Sequence, residues 1–140
     1  MSTSINQLAR RWFEEVWNQR RDETVEELLS PTCAGFMVGH GEVGGAEQFK
    51  AIRARFLEAF PDLYLHVEDV VTEGEKAVVR WVARATHGGH GLGVAPTGNS
   101  CEFRGLTWME FQGGKLHRGW DAWDLGGLMQ QLQPAQRGQA

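Results

Sequence analysis

Apolar positions recur every three to four residues in three stretches of the N-terminal half. In the first stretch, Ile5, Leu8, Trp12 and Val16 fall on one helical face, which is the spacing of an amphipathic helix. The pattern predicts helices over residues 5–18, 22–29 and 46–60. Thr3 or Ser4 is the expected N-terminal cap of the first helix, and "FPDL" ends the third.

Strand-like segments dominate the rest of the chain. The pattern predicts strands over residues 33–39, 64–71, 76–86, 101–111 and 116–124. The segments "TEGEK" and "QGGK" read as hairpin turns, "GEVGG" as a flexible turn, and "HGGHGLGVAPTGNS" as a loop. Asp124 is the expected cap of a short terminal helix, and residues 133–140 the expected frayed tail. Helices followed by strands indicate an α+β fold with helices on one face of a curved antiparallel sheet.

Length and charge limit the classes of function. The 140 residues suit one domain, expected to span 1–140. The 18 acidic residues against 14 Lys and Arg leave no basic stripe, so we expect no nucleic acid as partner. No segment resembles a signal peptide or a membrane span, which predicts a cytoplasmic protein without a membrane partner. Cys33 and Cys101 are expected to be reduced thiols.

Strand alternation places a carboxylate on the apolar side of the sheet. Arg118 marks the outer face of the last strand, so His117, Gly119, Asp121 and Trp123 are expected to face inward and Leu116 outward. An unpaired carboxylate among apolar side chains is costly, so such a group is either satisfied by backbone amides or used in chemistry. A bulge in the strand would turn Asp124 inward instead.

The order of short motifs resembles a known family. "AFPDL", "VRW" followed by "THGG", "PTG", the "WDAWD" segment and a closing "QL" occur in the order and spacing of the SnoaL-like polyketide cyclase, or ester cyclase, family of the nuclear-transport-factor-like superfamily. The resemblance covers nearly the whole chain. It implies a cone-shaped α+β barrel, formed by a curved antiparallel sheet with N-terminal helices packed over a deep apolar pocket. It also implies a homodimer or higher oligomer and no cofactor.

The resemblance also implies a site. In the family an Asp on the last strand is the general acid and base of an intramolecular aldol ring closure, and the match falls on Asp121. His40, in "GFMVGH", lies near the place of a family histidine, and His117 is a second candidate partner for the enolate oxygen. Gly119 replaces a position that is often His, and the preceding strand offers Thr107, which does not titrate near neutral pH.

Large side chains from the predicted elements are the candidate substrate-binding residues. They are Trp17, Phe36, Phe56, Phe60, Trp81, Phe103, Thr107, Met109 and Trp123. The expected substrate is a hydrophobic carbonyl compound such as an aromatic polyketide. Since that substrate delocalises its own enolate, neither a metal nor another cofactor is expected. His87 and His90 form a loop pair without a third ligand at a recognisable spacing.

Two alternatives remain open at this point. In one, Asp121 activates a water against an epoxide or a lactone in the same pocket. In the other, the chain is a small-molecule-binding module without catalysis. Arg80, Arg84 and Arg104 are expected on the outer face of the sheet, and we predict a homodimer through that face.

Overall fold

The structure, a computed structural model, describes residues 4–133. Its elements in chain order are α1 (Ile5–Arg11), a π-helical segment (Trp12–Asn18), α2 (Asp22–Leu28), β1 (Leu29–Met37), β2 (Gly41–Gly44), α3 (Gly45–Ala59), β3 (Tyr64–Glu73), β4 (Lys76–Thr86), β5 (Ser100–Gln112), β6 (Lys115–Trp123) and α4 (Leu125–Gln131). Of the expected tail at 133–140, residues 134–140 lie outside the described residues, as does Thr3, while the Gln133 amide donates to the Gln130 carbonyl at 3.2 Å. No helix of the described part has the length and apolar character needed to span a membrane.

The α+β fold is confirmed. Six strands form one curved sheet in the order β2-β1-β6-β5-β4-β3, and buried side chains from the helices and from one sheet face make the core. Three details differ from the expectation. The sheet is not closed into a barrel, and β1 runs parallel to β6 while the other neighbours are antiparallel. The "GEVGG" segment is also not only a turn, because Gly41–Gly44 pairs with β1 as a short strand.

The first helix begins as predicted but changes geometry halfway. Ser4 accepts a hydrogen bond from the Gln7 amide while the Gln7 side chain accepts one from the Ser4 amide, which is a capping box. From Trp12 onward the segment is π-helical, and the amide of Gln19 donates to the carbonyl of Glu14 at 2.8 Å. Segments of this kind are uncommon and are often found at functional sites.

The π-helical geometry brings two indoles to the same side. In an α-helix, five residues turn the chain by about 500°, so residues i and i+5 point in different directions. A π-helix has more residues per turn, which brings residues i and i+5 closer to the same face. Trp12 and Trp17 accordingly both contact Phe49 of α3, with ring centroids 5.1 and 5.9 Å away. The buried guanidinium of Arg53 holds the segment in place by donating to the Val16 carbonyl at 2.9 Å and pairing with Asp22.

A bulge near the start of β6 reverses two predicted side-chain directions. Phe111 of β5 pairs with Leu116, and Glu110 pairs with Arg118, so His117 is the extra residue. Leu116 is therefore buried in the core, where the sequence placed it outside. Beyond the bulge the predicted alternation holds.

Candidate active site

A cavity of about 640 Å³ lies between the helices and the inner face of the sheet. Its volume is in the range of small-molecule sites, and its walls are mostly apolar, as such sites usually are. Ten of the residues singled out from the sequence line it: Trp17, Phe36, His40, Phe56, Trp81, Phe103, Thr107, Met109, Asp121 and Trp123. The predicted site residues that line the cavity therefore make up less than a third of its wall.

Asp121 reaches the cavity because of its register in β6. It lies directly opposite Thr107 of β5, and Gly119 lies opposite Met109. Directly opposed residues of an antiparallel pair point to the same side of the sheet, so all four positions belong to the inner face. The predicted inward direction of Asp121 is confirmed, and Asp124 is instead the N-cap of α4, where its carboxylate accepts from the Gly127 amide at 2.8 Å.

The Asp121 carboxylate has one hydrogen bond from the described residues. The amide of Val38, in the turn after β1, donates to Oδ1 at 2.9 Å, and Oδ2 accepts none within residues 4–133. Burial in the apolar cavity raises the pKa of this carboxyl, and the Val38 hydrogen bond opposes the rise without cancelling it. A carboxyl with a raised pKa and one oxygen left without a protein donor is suited to proton transfer.

Thr107 has a fixed hydrogen-bonding role beside this carboxylate. The indole Nε1–H of Trp81 donates to Thr107 Oγ1 at 2.9 Å. Because the indole can only donate, the hydroxyl oxygen is the acceptor and its own proton remains to be donated elsewhere. The site thus offers a carboxylate and a hydroxyl donor on neighbouring strands.

Phe56 of α3 lies at the centre of the aromatic wall. Its ring centroid is 6.3 Å from that of Trp17, 6.0 Å from Phe103 and 6.0 Å from Trp123. These contacts are edge-on, which is a favourable arrangement for aromatic pairs. The helix layer and the sheet therefore meet through aromatic rings at this end of the cavity.

Two predicted site residues do not line the cavity. Phe60 is fully buried and packs behind the wall against Phe56, His87 and Phe103. Its helical spacing from Phe56 suggested a shared face, but Phe60 follows the last residue of α3 and has left the helical conformation. His117 is displaced by the bulge in β6, while His40 is exposed in the turn after β1 and contributes to the rim.

The sequence missed contributors that only the assembled structure brings to the cavity. The Val38 amide is a backbone group, and no side-chain pattern could identify it. Arg55 of α3 and Leu92 of the loop between β4 and β5 also line the cavity. Leu92 in a Gly-rich loop is an isolated apolar residue that could have been noticed.

The "HGGHGLG" segment is explained by packing against the end of α3. The amides of Gly88 and Gly89 both donate to the Ala59 carbonyl, at 3.0 and 3.2 Å. A Cβ at Gly91 would collide with the Arg55 carbonyl, so glycine permits this close approach. His87 is buried, and its Nδ1 accepts from the Thr97 amide at 3.3 Å. Within residues 4–133, no group of three or more potential metal-ligating side chains converges.

Comparison with known proteins gives one family and one fold. The family model for the SnoaL-like polyketide cyclase matches residues 7–132. No curated protein matches the chain in sequence. Among solved structures, a candidate SnoaL-like polyketide cyclase from Jannaschia sp. CCS1 is similar with a TM-score of 0.85 and 25% identity, covering 94% of this chain and 96% of that one.

Two Streptomyces proteins have the same fold. IdmH from Streptomyces antibioticus, a candidate polyketide cyclase, has a TM-score of 0.80 and 25% identity over 93% of this chain and 99% of its own. AclR from Streptomyces galilaeus, a candidate hydroxylase, has a TM-score of 0.80 and 24% identity over 91% of this chain and 94% of its own. Proteins of this fold are thus candidates for more than one activity, and the chemistry has to be argued from the site.

The raised pKa of Asp121 predicts a specific pH dependence of stability. The folded state binds the proton of Asp121 more tightly than the unfolded chain does. The protonated carboxyl therefore stabilises the folded state, and this contribution is complete at pH values below the pKa of the unfolded chain. That contribution is lost as the pH rises through the folded pKa. Asp121→Asn keeps the acceptor for Val38 and has no proton to lose. We therefore expect the free energy of unfolding of the wild type, relative to this variant, to fall over that pH window in urea titrations.

Asp62 provides the matched control. The Thr86 amide donates to its carboxylate at 2.7 Å and lowers its pKa, so Asp62→Asn should show the opposite trend, with wild-type stabilisation lost as the pH falls. A direct NMR titration of the Asp121 carboxyl checks the assignment. An ordinary or lowered pKa there would contradict the account of the site.

Proposed function

The chain belongs to the SnoaL-like polyketide cyclase family, and on that premise we propose that it is a cofactor-independent enzyme that closes a ring by an intramolecular aldol reaction. The substrate class is an apolar compound with a carbon flanked by carbonyl groups, such as an aromatic polyketide ester. The observation that carries the proposal is the position of Asp121, whose Oδ2 has no protein hydrogen bond from residues 4–133 inside an apolar cavity.

In the proposed mechanism Asp121 moves one proton out and back. Ionised Oδ2 accepts the proton from the acidic carbon, and the electron pair left on that carbon delocalises into the adjacent carbonyls as an enolate. The enolate carbon then attacks the second carbonyl carbon, which forms the new carbon–carbon bond and an alkoxide. The Asp121 carboxylic acid returns its proton to the alkoxide. The raised pKa keeps both protonation states accessible nearer neutral pH.

Thr107 supplies the donor for the oxygen on which charge develops. Its hydroxyl accepts from Trp81 and is free to donate to the enolate oxygen, and a donor that is already oriented stabilises such charge without reorganising. His40 at the rim is the proposed second donor, for a carbonyl nearer the mouth. With His117 outside the cavity, these two side chains are the proposed partners of Asp121.

The aromatic walls have the larger share of the proposed rate enhancement. A flexible carbonyl chain has many conformations, and the ring closes only when the two reacting carbons meet. Holding reactants in such a geometry can remove roughly 7 to 11 kcal/mol of barrier. The edge-on rings around Phe56 are a rigid surface against which the chain can fold.

The first test is hydrogen–deuterium exchange at the acidic carbon of a diketo ester, followed by NMR in deuterated buffer. This probe needs only the proton-transfer step. Loss of the base in Asp121→Asn should slow the exchange by about 10²- to 10⁴-fold while the melting curve stays cooperative. Asp69→Asn, which alters an exposed carboxylate on β3, is the matched control and should exchange at the wild-type rate.

Other outcomes identify the alternatives. Equal exchange rates for the wild type and Asp121→Asn would refute the assigned base. Incorporation of labelled oxygen from water into an epoxide or lactone probe, lost in Asp121→Asn, would indicate the hydrolase instead. Probe binding without any turnover would indicate a binding module.

Thr107 is tested separately from the base. Thr107→Val keeps the shape of the side chain and removes the hydroxyl, so we expect the exchange rate to fall about 10²-fold, as for loss of one oxyanion donor. Thr107→Ser retains the hydroxyl and should preserve most of the rate. If Thr107→Val and Thr107→Ser both exchange at the wild-type rate, the hydroxyl has no role in the proton-transfer step.

We also propose that two copies pair through the outer face of the sheet. Phe36, Trp120 and Trp108 lie side by side on β1, β6 and β5 and are 44%, 39% and 41% exposed. Phe36 and Trp120 also border the cavity, whereas Trp108 does not. We name these three residues the outer aromatic row. Large aromatic side chains in one exposed row are typical of protein interfaces. Glu110 and Arg118 lie opposite each other beside this row. In a two-fold symmetric dimer, each subunit would therefore present both a negative and a positive charge to its partner.

Sedimentation velocity at micromolar concentration tests the dimer. The wild type should sediment as a dimer, and Trp108→Arg should be a monomer because it places a charge within the outer aromatic row. Tyr64→Arg changes an exposed aromatic residue on the edge strand β3 and should remain dimeric. A monomeric wild type would contradict the proposal.

A further inference from the structure

Four segments of the chain meet where the cavity reaches one end of the sheet. Because β5 and β6 are antiparallel neighbours, the loop before β5 and the helix α4 after β6 lie at the same end. The turn after β1 reaches this end as well, since β1 runs parallel to β6 and a Cβ on Gly39 would lie 3.1 Å from the Leu125 side chain. The last turn of α3 joins them, because a Cβ on Gly91 of the loop would collide with the Arg55 carbonyl.

This end of the cavity is the one that opens to solvent. We name as the cavity mouth the lining side chains that these four segments contribute, which are His40, Arg55, Leu92, Leu125 and Met129. None of the five is buried in the core, and the first two are exposed. At the opposite end Leu29 and Leu116, which pair near the start of β6, are buried. A ligand therefore enters past the cavity mouth.

The cavity mouth carries an arginine without an internal partner. Within residues 4–133, Arg55 is the only lysine or arginine that lines the cavity. Six other arginines of this part of the chain pair with carboxylates, whereas the Arg55 guanidinium has no ion pair or hydrogen bond with a described residue, Glu58 one turn away included. Its charge is therefore available to a ligand.

The loop beside Arg55 adds backbone donors. Gly91 and Leu92 line the cavity, and their amides donate to no acceptor in the described part of the chain. The only carboxylate that lines the cavity, Asp121, lies deeper, two residues before Trp123 on β6. Guanidinium groups and peptide N–H groups are the usual ligands of a carboxylate. The mouth thus has the chemistry of an anion site.

We infer that Arg55 binds a carboxylate of the ligand at the cavity mouth, so that the cavity takes an apolar carbonyl compound with a negative charge at one end. A carboxylate is costly to bury among apolar side chains, so the charged end stays at the mouth and the uncharged end enters. The apolar part then lies along Phe56 and Trp123, whose ring centroids are 6.0 Å apart, and extends toward Asp121. That this ligand is a substrate rests on the proposed function, whereas binding of its carboxylate does not depend on turnover.

The test measures binding rather than activity. The probes are para-acetoacetylbenzoate, its methyl ester and its carboxamide, which share one ring and one dicarbonyl carbon, while only the first is charged at neutral pH. Isothermal titration calorimetry gives their dissociation constants. The variants are Arg55→Met, which keeps an apolar stem in the wall, and Arg55→Lys, which keeps the charge. Arg118→Met is the matched control, because it removes the same charge from an exposed arginine of β6 that also has no ion pair with a described residue.

Removing the guanidinium should affect the charged probe alone. We expect the wild type to bind the acid about 10-fold more tightly than the ester or the amide, equivalent to about 1.4 kcal/mol. Arg55→Met should weaken the acid by about this factor and change the two neutral probes less than about 2-fold. Arg55→Lys should keep a reduced preference for the acid, because an ammonium has the charge without the planar fork of donors. Arg118→Met should match the wild type for all three probes.

Three results would overturn the inference. They are a wild type that does not bind the acid more tightly than the neutral probes, an Arg55→Met variant without a selective loss of affinity for the acid, and an equal loss in Arg118→Met. The exchange assay separates this inference from the proposed function. If the preference for the acid depends on Arg55 while exchange does not depend on Asp121, only the mechanism is refuted. If exchange depends on Asp121 and the preference is absent, only the anion site is refuted.

Discussion

The contact of Phe56 with the sheet is the interaction on which the cavity depends. This ring touches Trp17 of the π-helical segment and the sheet aromatics Phe103 and Trp123, so one side chain joins every layer of the fold. Protein interiors are normally packed without large voids. Here bulky rings brace the helices at one end, and Gly119 on β6 leaves open space two residues from Asp121.

The second half of the N-terminal helix is π-helical, and this geometry places its indoles in the cavity wall. A π-helical turn loses the regular hydrogen bonds of the α-helix, and such turns persist when surrounding contacts stabilise them. Arg53 binds the Val16 carbonyl, and the Asn18 side chain forms two hydrogen bonds with the backbone of Leu65 on β3, at 2.9 and 2.8 Å. Contacts from α3 and from the edge strand therefore fix the direction of both indoles.

Asp121 shows how the same packing creates reactivity. A carboxylate in an apolar cavity is costly for folding, and with one amide donor it is only partly compensated. That incomplete compensation keeps its pKa raised. Regions where local chemistry opposes stability are where function is expected in a folded protein.

The sequence alone determined the fold class, the inner face of the strands and ten of the residues that line the cavity, because alternation and helical spacing act over a few neighbouring residues. Asp121 was found in this way, since its direction depends only on its own strand beyond the bulge. Tertiary structure decided the features that need a partner far along the chain. The bulge that displaces His117 follows from pairing with β5, the parallel contact of β1 with β6 brings the Val38 amide to Asp121, and the end of α3 places Phe60 behind the wall. No local pattern encodes these distances, because each depends on how two separate elements pack against each other.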